Sequence, residues 1–92
     1  MSNNIRTVWE SVQFIKERKK LNPDIQRMDE ILDGVTWVLA VRPELGKRTN
    51  NPLIWAIATV PWTTASFVIY YSFDENEVVL KAIKRSVSPN DE

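Results

Sequence analysis

"SFVIYYSFDENEVVLKAIKRS", residues 66–86, decides the fold. Residues 66–73 and 77–85 are rich in β-branched and aromatic side chains, and Asp74, Glu75 and Asn76 between them suit a hairpin turn. Strand alternation puts Phe67, Ile69, Tyr71 and Phe73 on one face and Val68, Tyr70 and Ser72 on the other. On the second strand Val78, Leu80 and Ala82 form the apolar set, leaving Val79, Lys81, Ile83 and Arg85 opposite. The open face is therefore expected to gather Tyr70, Ser72, Lys81 and Arg85. That group has a phenol and cations but no acid.

Upstream, "LIWAIATV" (53–60) reads as a further strand, joined to the hairpin by "PWTTA" (61–65). "PELGKRTNNP" (43–52) is a loop by composition. Before it, Asn22 is a good N-cap, Pro23 fits the first helical position, and Asp24 complements the positive end of a helix. Ile25, Met28, Leu32, Val35 and Leu39 follow at steps of three and four, forming one stripe that Ile31 and Val38 widen. Pro43 disfavours helix at Arg42, so this helix should span 23–42. "ESVQFIKERKKL" (10–21) gives an earlier helix with Val12, Phe14 and Ile15 on one side, and "IRTVW" (5–9) a first strand. The order β-α-α-β-β-β predicts an α+β fold: a twisted antiparallel sheet with a helical hairpin on one face. Residues 1–92 should make one domain, with the polar tail 86–92 frayed. Trp37 and Trp55 are expected in the core; Trp62 lies in a turn.

Composition excludes several chemistries. There is no cysteine, hence no disulfide framework or thiolate metal site. There is no histidine, which removes the commonest general base and zinc ligand. Carboxylate pairs such as Asp29 and Asp33 have no further ligands nearby, so neither metal nor cofactor is expected. Twelve basic residues balance twelve acidic ones, so no net field draws the whole molecule to nucleic acid. The charges are segregated, though: "KERKK" (16–20) is basic, and Asp24, Asp29, Glu30 and Asp33 outnumber Arg27 just after it. No apolar run approaches the ~18 residues that suggest a membrane span. "MSNNIRT" has no signal-peptide core, and a cytoplasmic protein is expected.

The element order, "NPDI" (22–25), "RPELGK" (42–47), "FVIYYSFDENEVVLKAI" (67–83) and the closing Lys84-Arg85 resemble the RelE/ParE superfamily of toxins from type II toxin–antitoxin systems. The resemblance covers nearly the whole chain. It implies a small toxin-like protein of a toxin–antitoxin or plasmid-stabilisation module, neutralised by a helical antitoxin protein. Family members act on messenger RNA at the ribosome or on DNA gyrase. The chain departs from the nuclease pattern at several points. Where family nucleases carry aromatic-Arg-aliphatic-x-Tyr, this chain has Phe67-Val68-Ile69-Tyr70-Tyr71, with Val68 in the arginine slot. The preceding strand, basic in such nucleases, is uncharged here, and Lys84-Arg85 stands where a His-Arg pair is common.

RNA cleavage needs a base for the 2′-hydroxyl, an acid for the leaving oxygen and cations for the phosphate. Tyr70, Lys81 and Arg85 are the candidate catalytic groups, yet tyrosine and lysine ordinarily titrate near ~10, far from a useful base. Arg42, Lys47, Arg48, Lys84 and Arg85 are the candidate contacts to nucleic acid or another target. The bland alternative is a solvated face whose cations only keep the protein soluble. The expected function is thus a toxin-like component that is not a standard ribosome-dependent nuclease. The alternatives are a non-toxic binding domain of the same fold, or an endoribonuclease with a rearranged site.

Overall fold

The hairpin at residues 66–86 is present, and the rest of the fold is assembled on it. The computed structural model describes residues 5–21, 25–58 and 66–86, with side chains at all of these except 25–29, 31, 66, 85 and 86. In chain order the elements are β1 (Thr7–Glu10), α1 (Val12–Lys20), α2 (Ile25–Val41), a 3-10 turn (Pro43–Leu45), β2 (Lys47–Arg48), β3 (Trp55–Ala58), β4 (Ser66–Phe73) and β5 (Glu77–Ser86). The expectations for Asn22, Pro23, Asp24, Trp62 and the tail beyond Ser86, and for the side chains of Ile25, Met28 and Ile31, lie outside the described residues.

The five strands form one sheet in the order β1-β5-β4-β3-β2. The expected α+β order is present, but the sheet is mixed rather than wholly antiparallel. β1 pairs parallel with β5, from Thr7–Glu77 to Glu10–Leu80. The segment read as a loop contributes the 3-10 turn and the two-residue strand β2, which pairs antiparallel with β3. Between β4 and β5, the Asp74 carboxylate accepts from the backbone N–H groups of Asn76 (2.8 Å) and Glu77 (2.9 Å), which closes the turn.

A β-bulge in that hairpin changes the expected faces. Tyr70 pairs with Ala82 but Tyr71 pairs with Leu80, so Lys81 is the extra residue on β5. One inserted residue reverses the side-chain parity beyond it. Ile83, expected on the open face, is accordingly buried, while Val78 and Leu80 are buried as expected. Arg85 pairs by register with Phe67 rather than with a residue of the open face, and its side chain is among those not described.

Both helices cover one side of the sheet. Phe14 of α1 and Leu32 and Leu39 of α2 share a buried cluster with Phe67, Ile69, Tyr71, Val78, Leu80 and Ile83, and Val35 packs on its margin. Ser11 caps α1 by accepting from the Phe14 N–H at 3.0 Å, and Arg18, Lys19 and Lys20 occupy its negative end. Two readings fail: Val12, placed on the same side of α1 as Phe14, is exposed, and Trp37, expected in the core, is 61% exposed. The helical phase explains both, because Phe14 alone anchors α1, and Trp37 lies opposite the Leu32–Val35–Leu39 stripe. Leu32→Ala is expected to cost about 2–5 kcal/mol in chemical denaturation. An unchanged midpoint would show that the phase of α2 is wrong.

α1 and α2 run antiparallel. α1 starts where the Ser11 N–H bonds the Leu80 carbonyl and advances along β5 until Glu17 reaches the Ile83 N–H. α2 ends where the Ala40 carbonyl accepts from Arg6, whose Nε in turn reaches the Asp74 carbonyl just before β5 begins. Among the described residues, no helix is long and apolar enough to cross a membrane.

Candidate functional site

The open sheet face is built in rows by strand register. Lys47 pairs with Ala56, Ala56 with Tyr70, and Tyr70 with Ala82, so these four positions form one row across β2, β3, β4 and β5. Lys47 and Tyr70 are two strands apart, about 10 Å between backbones. The next open row joins Ala58, Val68 and Lys84. A groove of ≈ 380 Å³ opens at the β2–β3 end, lined by Leu45, Gly46, Lys47, Ala56, Ala58 and Val68 among others. Its walls are mostly apolar and Lys47 is the charged side chain among them.

Two devices hold the margins of this face. At the groove, the buried Tyr71 hydroxyl donates to the Pro43 carbonyl, tying the 3-10 turn to β4. Burial pushes the Tyr71 phenol above its ordinary value; the Gly46 backbone opposes the rise, while the Glu44 carboxylate adds to it. The phenol therefore stays a neutral donor. Gly46 is dictated by space: an added Cβ would collide with the Tyr71 hydroxyl and lie 2.7 Å from the Ala56 carbonyl oxygen. Together these fix where β2, and so Lys47, enters the sheet.

At the other margin, β1 ends at Glu10 and leaves β5 with an uncovered edge. Glu17 fills that role. Its carboxylate accepts from the Ile83 N–H at 2.9 Å, from Lys84 Nζ at 2.7 Å and from Gln13 Nε2 at 2.7 Å. The Lys84 contact, foremost, holds the Glu17 carboxyl below its ordinary 4.5; partial burial works against this, and the Ile83 and Gln13 donors reinforce it. A depressed folded pKa means stabilisation that is present above 4.5 and lost as pH falls through the folded value. Acid titration of the melting temperature should show a loss below about pH 4.5 that Glu17→Gln reduces. Identical acid limbs for the two proteins would remove this role for Glu17.

The candidate residues are thus spread out rather than gathered. Tyr70 and Lys47 share a row, and Lys81 is an exposed bulge residue whose carbonyl accepts from the Ser11 hydroxyl at 3.2 Å. Lys84 is neutralised by Glu17. Arg48 belongs to the adjacent row with Trp55, and its guanidinium carbon lies 5.4 Å over the Trp55 ring. Arg42 is exposed beside the 3-10 turn. Val68, where family nucleases carry arginine, adds an apolar wall to the groove. Sequence reading misses Glu17, Gly46 and Tyr71. Only Gly46 carries a signal, a glycine directly after a Pro-initiated turn.

No protein-family model matches the sequence, and no curated protein matches it. Among solved structures, the fold is similar to a chain in the toxin–antitoxin complex RelBE2 from Mycobacterium tuberculosis. The TM-score is 0.71 at 16% identity, over 95% of this chain and 98% of that one. At that identity the likeness speaks for the fold, and it does so along the whole length of both chains. The chain has a RelE-like fold.

Proposed function

We propose that this chain is the toxin-like component of a type II toxin–antitoxin module, neutralised by a helical partner protein and acting by binding its target rather than by cutting messenger RNA on the ribosome. The observation that carries the reading is the whole-length likeness to a chain of a toxin–antitoxin complex. The chemistry of the open face argues for binding over cleavage. Catalysis needs a base, an acid and a charge clamp around one phosphate. Here Tyr70 faces alanines on both sides, Val68 adds no charge, and Lys84 is paired. Lys47, Lys81 and Arg42 remain as cations able to hold an acidic target, whether ribosome-bound RNA or a gyrase surface.

Induced expression should arrest growth, and co-expression of the neighbouring reading frame should restore it while forming a complex. Purified protein added to programmed ribosomes should leave the message intact. Codon-dependent cleavage that disappears in Tyr70→Phe would instead establish a rearranged nuclease. Normal growth with no complex would favour a non-toxic binding domain.

A further inference from the structure

The two edges of the sheet are finished differently at the end where β1 and β2 stop short. On β5, beyond its pairing with β1, the outward N–H of Ile83 is taken by the Glu17 carboxylate, and Lys84 is bound to the same group. A charged side chain set on an exposed edge guards it against strand addition. Among the described residues the β3 edge has no such guard. Backbone groups of an antiparallel strand point alternately to its two sides, and on β3 the outward ones belong to Ile54, Ala56 and Ala58. The Ile54 carbonyl accepts from the Thr49 N–H at 3.1 Å, and Ala56 pairs with Lys47. Before Lys47 the chain turns away, the Leu45 N–H closing the 3-10 turn on the Arg42 carbonyl. The N–H and carbonyl of Ala58 therefore point outward with no backbone partner among the described residues.

The ≈ 380 Å³ groove lies at this place, and Ala56, Ile57 and Ala58 all line it. Consecutive strand residues face opposite sides, so a groove that touches all three follows the edge of β3 rather than one face. Leu45, 56% exposed, and Val68 give it apolar walls. We infer that this edge receives an extended, acidic segment of another protein, added as a strand in line with β2 and bonded to the backbone of Ala58. Such a strand satisfies the open backbone groups and lays alternate side chains along the groove. The charges select the acid. Arg42, Lys47 and Arg48 are exposed around the start of β2, while Glu44, the one acid between them, is felt by the buried Tyr71 phenol. A second copy would bring the same cations to this edge, so like charges oppose that occupant. The residue opposite Ala58 should be aliphatic, because Ala58 is small enough to let it reach Val68. An acid should lie within two positions of it, since Lys47 pairs with Ala56, about 7 Å along β3. This occupant is extended where the neutralising partner is helical, and its test does not depend on toxicity.

The test is selection of displayed random linear peptides on the full chain, followed by titration of those recovered. They should carry Asp or Glu beside alternating aliphatic residues. Binding should slow hydrogen exchange at the Ala58 amide, which a side chain lodged in the groove would not do by itself. Lys47→Glu should weaken binding about tenfold or more. Ala58→Pro removes the outward N–H at an edge position that tolerates proline, and should weaken binding about tenfold with the melting temperature kept. If the proline variant does not fold, Ala58 exchange in wild type and the Lys47→Glu titration still decide. No recovered peptide, peptides without acids, unchanged Ala58 exchange on binding, or indifference to Lys47→Glu would overturn the inference. So would an Ala58 amide protected in concentrated protein and released on dilution, which would put a second copy there.

Discussion

Phe14→Ala is expected to lower the unfolding free energy by about 3–5 kcal/mol. Phe14 is fully buried and is the only buried side chain that α1 supplies to the core. Nothing on the helix can replace it, because Val12 points to solvent and the last turn is Arg18, Lys19 and Lys20. A nine-residue helix has little stability of its own in water. Its position depends on Phe14 inside, the Ser11 cap at its start and Glu17 on the β5 edge. Loss of the ring should therefore loosen the Glu17 contacts as well, and expose the Ile83 N–H. Denaturant unfolding followed by hydrogen exchange at Ile83 measures both effects. A loss under about 1 kcal/mol would show that α1 is held by its polar contacts instead.

How far the sequence discloses this arrangement differs from element to element. β4 and β5 are legible because β-branched and aromatic residues bracket an Asp-Glu-Asn turn whose first side chain closes it. The bulge is not. Ala82 and Ile83 are both apolar, so alternation from Val78 and Leu80 continues plausibly in either phase. Packing chooses the larger side chain, and Ile83 goes inside. For Trp37 the information is present in the helical period. At about 100° per residue, two steps from Val35 carry it to the far side of the helix. The size of an indole suggests burial where the period denies it.

Pairings that join distant parts of the chain are less accessible. Nothing local in "IRTVW" distinguishes a parallel edge beside β5 from any other strand position, and β2 is two cations with no alternation to read. The candidate site suffers from the same limit. Lys84 reads as a free cation, yet Glu17, 67 residues earlier, occupies it. Tyr70 and Lys47 share a row only because β3 lies between them in register.

Gly46→Ala should be nearly as damaging as the loss of Phe14, for the opposite reason. The new methyl would collide with the Tyr71 hydroxyl and sit 2.7 Å from the Ala56 carbonyl oxygen and 3.0 Å from the Tyr71 ring. A flexible surface group could step aside, but Tyr71 is fully buried and bonded to Pro43, and the Ala56 oxygen is backbone. Overpacking of this kind costs about 1–3 kcal/mol. If the phenol swings away, the buried Pro43 carbonyl loses its partner, for about 1–3 kcal/mol more. The 3-10 turn is then untied from β4 and Lys47 loses its register with Ala56, so target binding should fall along with stability. The two residues also predict their own coupling. Tyr71→Phe alone leaves the Pro43 carbonyl without its donor, but in the double variant it removes the atom that the methyl introduced by Gly46→Ala would strike first. The double variant should therefore cost less than the two single losses together. Strict additivity, or a Gly46→Ala protein within about 0.5 kcal/mol of wild type, would show that the turn is free to move away from β4.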